Sequence, residues 1–303
     1  MHNKKRGVYF LANDGVFDLS VAFLNSFRAH NPEIPLCMIP FNESIHRLEA
    51  LQYKYNFTIF RDNALYKACD ELSTLFHNKV FGHYRKLAIW EGGFDEFIYI
   101  DVDTIILRNI EYVFGFLSDY EFITFTSNYK PGLKWVWKKS IYKTGLLTPS
   151  QIAYAANTGF ICSKKGALAL ECISGKVESV YFLKQHIALC GIEQTLLNYL
   201  IITSGKRYTS LQVLSSGKSL FQGGLNCWWA GWKNAKIQNG QLFLDSIPIL
   251  LIHWAGLWQP GMLERIVSRI MKILHIKNKD EHSKMRFFMP YKRLWRHYRF
   301  MQN

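Results

Sequence analysis

Short apolar runs alternate along this chain with stretches whose apolar positions recur at helical spacing. Val8 to Ala12 reads as a first strand, and Asp18 to Ala29 as the helix after it, closed by Asn31-Pro32. Leu36 to Ile39 and Phe57 to Phe60 read as further strands, separated by the helical stretch Ser44 to Tyr55. A helix from His83 to Trp90 feeds through Gly92-Gly93 into the apolar run that starts at Phe97 and ends in Asp101-Val102-Asp103-Thr104. Beyond it come a short helix near Ile110 to Leu117 and a strand at Phe122 to Phe125. A long irregular segment, Ser127 to Ile152, then carries Trp135, Trp137 and several lysines. Loops of that length in a compact domain are usually functional or mobile. Strands alternating with helices predict an α/β fold, with a mostly parallel sheet covered on both faces. The sequence shows no internal repeat and no low-complexity tract.

The acidic end of the fourth predicted strand is where chemistry enters. Strand ends of this kind face the ligand crevice of an open α/β sheet. Residues two apart on a strand point to one side, so Asp101 and Asp103 are expected to converge on one divalent cation, for which hard carboxylate oxygens are suitable ligands. Two other readings stand beside this one. The acids can be solvated turn residues capping the next helix. They can also be the nucleophile (Asp101) and acid/base (Asp103) of an Asp-x-Asp-x-Thr phosphatase of the haloacid-dehalogenase type, with Thr104 completing the motif. Such a phosphatase carries its nucleophile strand near the chain start and needs a further acidic pair downstream. Here a long α/β stretch precedes the motif, and no Asp-Asp or Gly-Asp pair follows it. Nucleotide-sugar transfer, in which the carboxylates hold a metal against the donor diphosphate, fits better.

Composition narrows the setting. A chain of 303 residues, 49% of them hydrophobic, can bury a substantial core in one large domain or two fused lobes. Its most apolar stretch, Ile247 to Trp258, is interrupted by Pro248 and His253 and falls short of the ~18 apolar residues of a membrane span. The basic start, Lys4-Lys5-Arg6, is followed by an apolar run that Asn13 and Asp14 end too early for a signal peptide, so a cytoplasmic protein is expected. Cysteines at 37, 69, 162, 172, 190 and 227 show no C-x-x-C pairing, and reduced core thiols are the expectation. The net charge of +14 calls for an acidic partner: a diphosphate donor, an anionic membrane surface or nucleic acid. No recognised nucleic-acid module accompanies the charge, which sets nucleic acid aside.

Much of that charge lies near the C-terminus. Leu263, Ile266, Val267, Ile270 and Leu274 form an apolar stripe opposite Arg265, Arg269 and Lys272. The tail Met285 to Tyr298 then interleaves Arg286, Lys292, Arg293, Arg296 and His297 with Phe287, Phe288, Tyr291, Leu294 and Trp295. Basic residues mixed with aromatics suit an anionic membrane surface, and hence a lipid-linked acceptor; the alternative is a helix packed on the main domain. Residues 261–303 are therefore expected to form a basic amphipathic region appended to a catalytic domain over 1–260. Trp228-Trp229-Ala230-Gly231-Trp232, after Gly223-Gly224, offers aromatic faces for stacking on sugars, although tryptophans more often serve a core.

Several blocks, in order, carry a family resemblance. They are Ala12-Asn13-Asp14, His83-Tyr84-Arg85-Lys86, Asp101-Val102-Asp103-Thr104 with Leu107-Arg108-Asn109-Ile110, Asn157-Thr158-Gly159-Phe160, Glu193-Gln194-Thr195-Leu196-Leu197-Asn198, and His253-Trp254-Ala255-Gly256. Together they resemble the GT-A glycosyltransferases of the glycogenin and lipopolysaccharide galactosyltransferase family. The resemblance implies a GT-A fold, a Rossmann-like sheet flanked by helices, with a helical basic C-terminal region. It implies a nucleotide-sugar donor, UDP-linked, a glycan or lipid-linked acceptor, and Mn²⁺ or Mg²⁺ held by Asp101, Asp103 and His253. It places Ala12, Asn13, Asp14, Lys86, Asp101, Val102, Asp103, Asn157, Thr158, Gly159 and Gly256 at the donor, with Arg85 as the alternative to Lys86 near the phosphates. Glu193 and Gln194 stand beside the reacting sugar, and the implied outcome is retention. An inverting path would instead use a carboxylate base, for which Glu193 is the candidate. Two positions depart from the pattern. Glu193 is one methylene longer than the usual Asp, and Gln259-Pro260 replaces Lys-Pro, where a neutral amide cannot stand in for a cation against a diphosphate. A non-catalytic carbohydrate-binding protein on the same fold is the remaining alternative.

Overall fold

The computed structural model describes residues 4–128, 130–170, 181–216, 226–229, 235–238, 241–244, 247–255 and 291–301. Strands β1 (Arg6–Ala12), β2 (Leu36–Pro40), β3 (Phe57–Ile59), β4 (Glu96–Ile100), β5 (Thr104–Ile106), β6 (Phe122–Thr124), β7 (Phe160–Lys164) and β8 (Tyr208–Ser210) follow in chain order. All but β5 join one sheet in the order β3-β2-β1-β4-β7-β6-β8. Only β7 runs against its neighbours, β4 and β6. The mostly parallel α/β sheet read from the sequence is the one that forms.

The central strands are apolar at every position because both faces of the sheet are covered. From β4, Phe97 and Tyr99 enter a core with Leu196, Leu197 and Ile201 of the helix Glu193–Thr203, together with Tyr66 and Phe76 of the helix Asn63–His77. Ile98 and Ile100 enter the opposite core with Leu19, Phe23 and Phe27 of the helix Phe17–His30. A second sheet is built from β9 (Asn226–Trp229), β10 (Ala235–Gln238), β11 (Gln241–Leu244) and β12 (Ile247–His253), in the order β10-β11-β12-β5, with β9 parallel to β12.

Four local expectations need correction. The run from Phe97 to Thr104 is not one strand. β4 stops at Ile100, the chain turns over Asp101 to Asp103, and β5 starts in the other sheet. Gly82–Trp90 is a 3-10 segment rather than an α-helix, and Ser44 to Tyr55 divides into the short helices His46–Glu49 and Gln52–Tyr55. The segment from 127 to 152 contains 3-10 turns at Lys130–Trp135 and Lys139–Lys143. It ends in the helix Pro149–Tyr154, which Thr148 and Gln151 open with reciprocal capping hydrogen bonds.

At the C-terminus, the helix Tyr291–Phe300 lies against Phe17–His30, burying Trp295 and Tyr298. Asn25 donates to the Tyr298 carbonyl at 2.7 Å, Tyr298 and His30 hydrogen-bond at 2.9 Å, and Arg299 pairs with Asp18. This part of the basic aromatic tail turns Trp295 and Tyr298 inward and leaves Arg293, Arg296 and His297 exposed. The stripe from Leu263 to Leu274, the tail residues before Tyr291, Gly223-Gly224, Ala230 to Trp232, Gly256 and Gln259-Pro260 lie outside the described residues. Cys37, Cys69, Cys162 and Cys190 are free thiols, the first three buried, as a reduced core predicts. Among the described residues no helix is long and apolar enough to cross a membrane.

Candidate active site

The two sheets meet at the turn after β4. Antiparallel pairing sets His253, the last residue of β12, opposite Thr104, the first of β5, and the Trp254 N–H donates to the Asp103 carbonyl at 2.9 Å. The imidazole is thereby delivered next to Asp103. On the other side, the Asp101 N–H donates to the Gly159 carbonyl at 2.8 Å, one step beyond the β4–β7 pairing of Ile100 with Phe160. Asp101, Asp103 and His253 end with ligand atoms all within 4.8 Å of one another. His253 Nε2 stands 3.1 Å from Asp103 Oδ1 and 3.6 Å from Asp101 Oδ2. Two carboxylates and one imidazole are a donor set suited to a divalent first-row or alkaline-earth cation. Gly159 completes the cradle, because a Cβ there would collide with the His253 ring and with Asp101 Oδ2. The fit to a cation is good on both counts.

Behind these groups lies a buried polar network. Lys86, only 2% exposed, reaches Glu193 Oε1 at 2.6 Å, Asp101 Oδ1 at 3.3 Å and the Thr158 carbonyl at 3.4 Å. Tyr99 donates its hydroxyl to the same Asp101 Oδ1 at 2.6 Å, and the Lys86 ammonium lies 4.6 Å from the Tyr99 ring centre. Burial would push the Lys86 pKa down, but Asp101 and Glu193 outweigh it and raise it, so the ammonium stays charged. Burial, reinforced by the Asp101 charge, holds the Tyr99 pKa well above 10, which keeps its hydroxyl a donor. For His253 burial again favours the neutral ring, and Asp103 followed by Asp101 overturns it, raising its pKa above the ordinary 6.5.

The remaining predicted residues fall into two groups. Asn157, Thr158 and Gly159 are at the cluster. The Asn157 side chain accepts from the Gly159 N–H at 2.9 Å, and Gln194 accepts from the Thr158 N–H at 3.3 Å. Asn198, in the same helix as Gln194, clamps Ala156 through both its N–H and its carbonyl. Positive φ at Ala155, Ile192 and Ala255 marks the chain beside each of these segments, and for a β-branched residue such as Ile192 this is a strained backbone of the kind held at functional sites. Ala12 ends β1 on the edge where β4 also ends, while the side chains that follow are occupied locally. Asn13 accepts from the Gly15 N–H, and Asp14 accepts from the N–H groups of Arg47 and Leu48. Val102 is buried in the turn. Arg85 is not at the cluster. It pairs with Asp70 at 2.9 Å and Glu43 at 3.3 Å, beside a cavity of about 550 Å³ bordered by the helix Asn63–His77. Tyr99 escaped the sequence reading, although its spacing of two from Asp101 was the available signal.

No protein-family model and no curated protein sequence matches the chain. Solved structures do. The bifunctional glycosyltransferase WbbM, in its apo form, superposes with a TM-score of 0.51 at 12% identity, over 91% of this chain and 52% of its own. The fold is that of a GT-A glycosyltransferase. GlyE of Streptococcus pneumoniae TIGR4 follows at a TM-score of 0.48 and 13% identity, over 99% of this chain and 61% of its own. The galactosyltransferase LgtC, solved with donor and acceptor sugar analogues, also has a TM-score of 0.48 at 13% identity, over 91% of this chain and 98% of its own. The chain thus spans about three fifths of GlyE and about half of WbbM. With this fold, the phosphatase alternative loses its footing.

Proposed function

We propose that the protein is a metal-dependent glycosyltransferase, moving a sugar with retention from a UDP-linked donor to a hydroxyl of a glycan or glycolipid. The convergence of Asp101, Asp103 and His253 at the ligand edge of a GT-A fold carries this reading. Mn²⁺ or Mg²⁺, held there, would supply Lewis acidity to the leaving nucleoside diphosphate. The loop from Ala12 to Asp14, ordered by the Asn13 and Asp14 side-chain hydrogen bonds, would offer the base and ribose a fixed backbone. Lys86, in contact with Asp101 and Glu193, would hold both side chains in place beside the donor, and Asn157, Thr158 and Gly159 would form the wall beside the sugar, with Gly256 following His253.

Retention is favoured by what Glu193 is doing. A general base on the acceptor side has to be free to take a proton. Glu193 is 5% exposed and held at 2.6 Å by the buried Lys86 ammonium, which occupies its carboxylate. Gln194, a neutral amide, is the group that can lie beside the reacting carbon without titrating. Localisation is proposed as cytoplasmic and peripheral, with Arg293, Arg296 and His297 of the docked terminal helix turned toward anionic lipid.

The deciding experiment incubates the protein with a panel of nucleotide sugars and Mn²⁺ and measures nucleoside diphosphate release. Release from one donor that stops on chelation and returns with added metal is the expected result. Turnover by the chelated protein would remove the metal from the proposal, and absence of release from every donor would leave a carbohydrate-binding protein.

A further inference from the structure

From Phe122 to Leu170 the chain contains no Asp or Glu. Five lysines of that stretch, Lys130, Lys134, Lys138, Lys139 and Lys143, are exposed, and none forms an ion pair among the described residues. They are carried on a lobe anchored by buried Val136, Trp137, Ile141 and Leu147, which pack in one core with Leu183 and Ile187. The same lobe shows large aromatics to solvent: Trp135 is 51% exposed and Tyr142 58%, with Tyr181 and Phe182 also exposed. The Lys134 ammonium lies 5.5 Å from the Trp135 ring centre, and that of Lys184 5.5 Å from the ring centre of Tyr181.

This lobe leads directly into the site. Trp137 bridges Ile187, Lys138 N–H donates to the His186 carbonyl at 2.9 Å, and Ala188 N–H donates to the Val136 carbonyl at 2.9 Å. The chain then runs through Gly191, where a Cβ would collide with the Trp135 carbonyl, to Glu193 and its contact with Lys86. A surface whose Trp135 backbone packs on Gly191, two residues before Glu193, is placed to receive the second substrate. Its chemistry has two parts: aromatic faces, which stack on the C–H face of a sugar ring, and ammonium groups with no carboxylate among them, which attract and pair with anions.

We propose that this lobe is the acceptor surface and that the acceptor is an anionic saccharide, bearing phosphate or carboxylate groups. The assignment rests on the glycosyltransferase reading, and locates there a part of the positive charge that a diphosphate donor alone does not use.

Binding is measured by tryptophan fluorescence with three soluble probes: maltotriose monophosphate, trigalacturonate and neutral maltotriose. Both anionic probes should bind at least about tenfold more tightly than the neutral one at low salt, with the advantage shrinking as ionic strength rises. Replacing Lys134, Lys138, Lys139 and Lys143 together by Gln should bring that ratio close to one. Trp135→Ala should weaken all three probes alike, and thermal unfolding of both variants confirms that they are folded. Equal binding of charged and neutral probes by the wild type, or a ratio that survives the lysine replacements, would overturn the proposal. So would capture by anionic vesicles that the same replacements abolish while no saccharide binds, since the face would then belong to a membrane. Nucleoside diphosphate release by the wild type, measured alongside, tests the underlying transferase reading separately from this ratio.

Discussion

The two ends of β4 both hold a buried carboxylate, and they treat it in opposite ways. At its start, Glu96 is enclosed by Lys4 and Arg6, two cations for one acid. Burial works against the charge of Glu96, but its hydrogen bonds to Lys4 and Arg6 prevail and hold its pKa below the usual range. Past its other end, Asp101, Asp103 and Glu193 share Lys86 and the His253 imidazole. A buried ionic group contributes to stability only when it is fully paired. The first end meets that condition; at the second, among the described residues, three carboxylates are gathered around one ammonium and one imidazole. Acids gathered in this way by two sheets and a glycine cradle are what the proposed cation site requires.

The largest effect should come from removing one carboxylate at the unbalanced end. Asp103→Asn takes away a proposed ligand, and nucleoside diphosphate release should fall by about 10³-fold, comparable to loss of a preorganised stabilising group. Because it also relieves like-charge crowding, the variant should unfold no more readily than the wild type. A variant that loses stability in proportion to activity would show Asp103 to be structural. Lys86→Met acts in the other direction. It leaves Glu193 buried beside Asp101 with no ammonium, and denaturant unfolding should register a loss of about 3 kcal/mol or more. Intact stability would mean that the network is reorganised and that Lys86 does not hold it.

The sequence made β1 to β4, β6 and the acidic motif readable, since continuous apolar runs and an Asp-x-Asp are local features. It was wrong about why the acids converge. The strand-period argument put Asp101 and Asp103 on one face of one strand, whereas they meet in a turn between two sheets, closed by the register of β12 on β5. That register involves residues far apart in the chain, and no local pattern encodes it. The family resemblance supplied His253; the spacing did not. Lys86 with Glu193 was out of reach for the same reason, as the pair joins a 3-10 segment to the start of a helix over a hundred residues later.

Tyr99 sharpens the comparison at an intermediate level. Its hydroxyl and the Lys86 ammonium both engage Asp101 Oδ1, which leaves Oδ2 toward His253. Groups that orient a metal ligand typically contribute 10–100-fold to metal affinity. Tyr99→Phe should accordingly raise the Mn²⁺ concentration for half-maximal activation by about tenfold, with only a small change in the unfolding midpoint. An unchanged metal requirement would assign the hydroxyl to the core alone.

The smallest effect is expected at the balanced end. Glu96→Gln keeps the volume and a hydrogen-bonding oxygen but removes the charge that Lys4 and Arg6 surround. Since both partners are about half exposed, the loss at neutral pH should be on the order of 1 kcal/mol, with nucleoside diphosphate release unchanged. The pH dependence gives the sharper reading. A carboxylate whose folded pKa is depressed stabilises the protein above its unfolded value, here near 4.5, and that contribution disappears as pH falls through the folded value. The wild type should therefore lose stability below about pH 4.5 faster than Glu96→Gln, and the two unfolding midpoints should converge in acid. If the gap between them persists at the lowest pH, the residue acts through packing, and the contrast between the two ends of β4 is one of shape instead of charge.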